Sequence, residues 1–153
     1  LGGAELVRAL ETFKTSFLRQ RLPDLVAVLI VCSECLRRQH RGASVSDRDM
    51  IQSGLHEAQW RELRALLLDN HILVTTNQNY YVLARDPATL TVWDLIGLLG
   101  THFTTAPGYD AQDLLASYPW YERLAQLTSE AGSTARSLFD ITLQELYGAS
   151  PAE

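Results

Sequence analysis

Four histidines (His40, His56, His71, His102) and two cysteines (Cys32, Cys35) are the imidazole and thiol side chains that could anchor a metal ion or supply a base or nucleophile. Metal-assisted hydrolysis needs histidine and carboxylate ligands gathered around the ion. These histidines are scattered, with no His-x-His-x-Asp pattern among them. Cys32 and Cys35 lie three apart inside an apolar helical run, without the two further ligands zinc requires and away from a helix N-terminus that would activate a thiol. They read as buried thiols in a reducing compartment. A Gly-rich phosphate cradle and a Gly-x-Ser-x-Gly elbow are both absent from the sequence. The sequence therefore predicts no catalytic residue, no metal and no cofactor.

The remaining chemistry is cationic. Arg48, Arg61, Arg64 and Arg85 are candidates for contacts to nucleic acid or to a protein partner. A non-specific nucleic-acid binder presents about six or more convergent cations. Here Arg61 and Arg64 share one helical stretch with Glu57, Glu62 and Asp69, and residues 72–84 contain no Lys or Arg. Thirteen basic against 18 acidic residues give the 153-residue chain a net charge of -5, which excludes the strongly basic nucleic-acid-coating classes. The charge is uneven: residues 1–41 carry net +3 and the remainder -8. Arg8, Lys14, Arg19 and Arg21 fall in the basic end.

These side chains must be positioned by mostly helical elements. Leu6, Leu10, Phe13 and Phe17 form one stripe at helical spacing, so residues 1–21 read as an amphipathic helix. After Leu22-Pro23-Asp24, a helix over 25–38 is apolar on nearly all sides and is expected to be central. Ser46 with Asp47 and Asp49 caps a short helix ending near Gly54, and Trp60, Leu63, Leu66 and Leu67 mark one buried face of a helix over 56–70. Residues 72–76 and 80–84, rich in β-branched and aromatic side chains around Asn77-Gln78-Asn79, predict a β-hairpin. A short extended piece at Ala43 to Val45 is available to pair with it.

This order, with a core predicted to include Val28, Leu29, Trp60, Leu63, Leu67, Val74 and Val82, is that of a winged helix-turn-helix unit. Thr91 with Asp94 and Thr142 with Glu145 are two similar capping segments, a local solution used twice. Between them, residues 119–139 predict one long helix, weakened at Gly132, with Trp120 in its core. The expected organisation is a membrane-proximal helix over 1–21, a winged-helix domain over 22–100, a linker over 101–109 marked by Pro107-Gly108, and a helical extension over 110–153.

Three stretches resemble the cytoplasmic C-terminal region of the YihY/BrkB family of inner-membrane proteins, long labelled "ribonuclease BN". They are Leu1-Gly2-Gly3-Ala4-Glu5-Leu6, the pair Tyr81 to Asp86 and Leu90 to Leu95, and Leu138 to Leu146. The family has glycine where this chain has His71, a residue that still tolerates a left-handed backbone. The resemblance implies a winged-helix module on the cytoplasmic face of the bacterial inner membrane, attached to a transmembrane portion outside this chain. It implies no established reaction. The only methionine is Met50, so the chain is expected to be part of something longer.

Arg8, Lys14, Arg19 and Arg21 would then be membrane-proximal and attract anionic headgroups. The stripe on residues 1–21 would pack on its own domain or on a second copy, making a homodimer. The expected function is a non-catalytic interaction or regulatory module, with nucleic-acid binding as the alternative.

Overall fold

The computed structural model describes residues 20–100 and 112–148. They belong to two compact units, Leu1–Asp86 and Pro87–Glu153. The expected helix over 1–21 and linker over 101–109 fall outside the described residues, except for Gln20 and Arg21.

In the first unit, helix α1 (Asp24–Gln39) buries Ala27, Val28, Val31, Cys32 and Cys35 along one face. Val26 is exposed, so this helix is one-sided rather than apolar-buried all round. Helix α2 (Asp47–Gln52) starts on a complete capping box, in which Ser46 Oγ accepts from the Asp49 N–H and the Asp49 carboxylate accepts from the Ser46 N–H. Helix α3 (Glu57–Asp69) is capped by His56, whose Nδ1 accepts from the Gln59 N–H at 3.4 Å. Its apolar face holds Trp60, Leu63 and Leu67.

The end of α3 is a Schellman turn. The Ile72 N–H donates to the Leu67 carbonyl and the His71 N–H to the Leu68 carbonyl, while His71 takes a left-handed φ of 57°. The chain then enters strand β1 (Leu73–Thr75), which pairs antiparallel with strand β2 (Tyr81–Leu83). Thr76 closes the turn, its hydroxyl accepting from Gln78 and Tyr80 N–H groups, with Asn79 left-handed at φ 61°. Val45 bridges Tyr81 on the other edge of β2, as the extended piece before α2 suggested. The predicted winged-helix unit, mostly helical with one small hairpin, is therefore the observed fold.

The hairpin's inward face differs from the expectation. Leu73, Tyr81 and Leu83 are buried, whereas Val74 is 41% exposed and its cross-strand partner Val82 is only half-buried. Successive strand residues point to opposite faces, so choosing the wrong parity exchanges the whole set. Leu29, also expected in the core, is half-buried.

In the second unit, helix α4 (Val92–Leu98) follows Thr91, helix α5 (Gln112–Ala116) precedes the long helix α6 (Tyr121–Phe139), and helix α7 (Leu143–Gly148) closes the described chain. The two similar capping segments meet: Thr91 and Thr142 form an antiparallel bridge, with the Val92 N–H donating to the Ile141 carbonyl and the Leu143 N–H to that of Leu90. The core here is Leu90, Val92, Leu95, Ile96 and Leu143. Trp120, expected in the core, is instead 56% exposed: it stands at the N-cap of α6, a helix that buries none of its own residues, and its ring meets those of Tyr118 and Tyr121.

Candidate functional site

Helix α3 gathers most of the polar chemistry of the first unit. Its Gln59 is fully buried, the one polar residue in the buried core among the described residues. The side-chain amide spans to the segment before α1: Oε1 accepts from the Leu22 N–H at 3.0 Å, while Nε2 donates to the Leu22 carbonyl at 2.6 Å and to Asp24 Oδ1 at 2.9 Å. Beside it, the Arg21 guanidinium pairs with Glu62 and lies 4.0 Å from Asp24. The hydrogen bond from Arg21 holds the Glu62 carboxyl below its ordinary range. The chain arriving from the N-terminal side is thus fastened to α3 at four points.

One turn further along, a single oxygen joins three elements. Asp47 Oδ1 accepts from Trp60 Nε1 at 2.8 Å, from the Arg64 guanidinium at 2.8 Å and from the Tyr81 hydroxyl at 3.0 Å. Burial pushes the Asp47 carboxyl up, but the three donors outweigh it and the net shift is downward. Burial and the same carboxylate push the Tyr81 phenol up. Trp60 and Tyr81 also meet edge to face, ring centres 5.3 Å apart. Asp47 therefore fixes α2, α3 and the wing relative to one another.

The candidate cations are placed accordingly. Arg61 and Arg64 line one shallow depression with Asp47, Ile51, Glu57 and Trp60. Both are neutralised by acids: Arg61 pairs with Glu57 at 3.2 Å and Arg64 with Asp47 at 2.8 Å. Arg48 on α2 and Arg85 after β2 are exposed and do not line that depression. Arg21 belongs to the α3 fastening, and Arg8, Lys14 and Arg19 lie outside the described residues. Sequence reasoning missed both Gln59 and Asp47. Gln59 had the weak signal of an amide between apolar positions, and Asp47 read only as a first-turn acid.

The thiols are buried within α1, and burial pushes each up to about 12, with the neighbouring Cys35 adding to the effect on Cys32 and Glu34 to that on Cys35. Among the described residues, no helix is long and apolar enough to cross a membrane.

No family model matches the chain. Curated proteins named UPF0761 membrane protein match its whole length, with 28% identity in Teredinibacter turnerae, 29% in Saccharophagus degradans and 30% in Alcanivorax borkumensis. The chain spans only about a third of these relatives, 35–36% of their length. Among solved structures, it resembles CymR, the global cysteine regulator of B. subtilis, with a TM-score of 0.57 and 17% identity over 83% of this chain and 92% of that one. The oxidized form of Staphylococcus aureus CymR gives 0.59 and 13% over 87% and 99%. IscR of T. potens gives 0.55 and 16% over 87% and 94%. At these identities the likeness shows the winged-helix fold and nothing finer.

Proposed function

We propose that this chain is a non-catalytic interaction and regulatory module of a larger membrane protein of the YihY/BrkB type, held at its cytoplasmic face. The observation that carries this reading is the similarity, along the entire chain, to membrane proteins about three times as long. The fastening of residues 21–24 onto α3 supports it, because a segment arriving from a membrane portion would transmit its position directly to that helix. Arg8, Lys14 and Arg19 then face an anionic bilayer surface, with Arg21 paired to Glu62 at the junction; the exposed Arg48 and Arg85 are available to a protein partner, which would reach Arg61 and Arg64 only by displacing Glu57 and Asp47.

The second reading is a winged-helix nucleic-acid binder, or an RNA-processing role, favoured by the fold shared with CymR and IscR. Electrostatics argues against it, since the cations of α3 are already paired with Glu57 and Asp47. Titration of the chain with labelled random-sequence duplex and tRNA separates the two. The module reading expects no binding tighter than about 1 μM at about 150 mM salt. Tighter binding, lost in the R61E/R64E variant, overturns it in favour of nucleic-acid recognition.

A further inference from the structure

Helix α6 is amphipathic the wrong way round for a helix that serves only its own unit. None of its 19 residues is buried. Its half-covered stripe is Tyr121, Ala125, Thr128, Gly132 and Ala135, mostly small side chains. The adjoining stripe, Trp120, Leu124, Leu127, Ala131, Thr134 and Leu138, is exposed throughout, and Leu138 reaches 73% exposure. A contiguous apolar face of this length marks a binding surface.

We infer that this face of α6 is the surface on which two copies of the chain pair, helix against antiparallel helix. The outward residues are spaced alternately four and three apart, the 3.5-residue period that keeps a seam turned toward a second helix. A lipid surface demands no such period and favours a basic polar face. The charged residues of α6 are two acids, Glu122 and Glu130, and two arginines, Arg123 and Arg136, so the helix carries no net charge to select a bilayer or a strongly charged partner.

The sequence of α6 is also complementary to itself. With a two-fold axis between Ala125 and Gln126, the two helices overlap over residues 121–130, where Leu124 packs over the second copy's Leu127 and bulky Trp120 at the helix entry sits over the second copy's small Ala131, while Thr134 and Leu138 lie beyond the overlap. On the flank of the seam, Arg123 meets the second copy's Glu130, and the same pair repeats by symmetry. Exposed ion pairs of this kind add little affinity, but they set direction and register.

Light scattering and sedimentation of the 153-residue chain at about 100 μM test this. The expected mass is twice the 17.1 kDa of one chain. L124E and L127E should each give monomers with unchanged circular dichroism, since both positions are exposed. R123E should weaken association about tenfold by opposing like charges, and R123E/E130R should restore it. A monomer at this concentration, or a dimer indifferent to these variants, overturns the inference. So does a monomer whose L124C thiol is shielded from alkylation, which would assign the face to another segment of the same chain. Binding of anionic vesicles that L124E abolishes would assign it to the membrane, with the same consequence.

Discussion

Gln59 supplies every hydrogen bond that holds Leu22 and Asp24 to α3, from a fully buried side chain. The Q59L substitution fits the space but leaves the Leu22 N–H and carbonyl without partners. A loss of about 1–3 kcal/mol is expected, read as a lower urea midpoint with unchanged slope. Cys32 and Cys35, pushed up to about 12 by burial, should resist a thiol reagent at neutral pH until denaturant is added.

The raised thiols also fix a sign. The folded chain holds these protons more tightly than the unfolded one, so their contribution is complete below the ordinary thiol value of 9.0 and is lost as pH climbs toward about 12. Asp47 and Asp49, both lowered, act in the opposite sense. Their contribution is present above the ordinary carboxyl value of 3.8 and disappears as pH falls through their folded values. Denaturation midpoints measured across pH should therefore decline at both extremes, and D47N should flatten the acid limb.

At the scale of elements, the two capping segments are the most informative pair. The Thr91 hydroxyl accepts from the Asp94 N–H and the Thr142 hydroxyl from the Glu145 N–H, each at 3.1 Å. T91A and T142A should each cost about 1 kcal/mol. Because the two threonines are bridged, their combined loss should depart from additivity, and a double-mutant cycle in denaturant measures it. Similar sequences signalled two similar caps. That the caps pair with each other depends on a fold-back between residues 91 and 142, which local pattern does not encode. The hairpin teaches the same lesson: its existence followed from β-branched residues around Asn77-Gln78-Asn79, while its buried face followed from the side of β2 that meets α1.

For the whole molecule, the basic N-terminal end and acidic remainder predict an oriented response to a charged surface. The chain should co-sediment with vesicles rich in anionic lipid at about 50 mM salt and release at about 500 mM. K14E/R19E should lose this binding, whereas R61E/R64E should keep it, because Arg61 and Arg64 already have acidic partners. Each cation near the surface is worth about 1 kcal/mol, so two charge reversals make a large effect.

By itself the amino-acid sequence determined the helical order, the wing and the inward cysteines, all of which rest on contacts within a few residues or on one-dimensional periodicity, while the left-handed turn at His71 was legible only through the resemblance to a family with glycine there. Tertiary structure alone decided that Gln59 reaches Leu22 and that Asp47 collects Trp60, Arg64 and Tyr81. It also decided that Val74 and Trp120 face outward. These outcomes join residues 13–37 positions apart or depend on which face of an element another element covers, and the free energy of such contacts exists only once the chain has closed those loops.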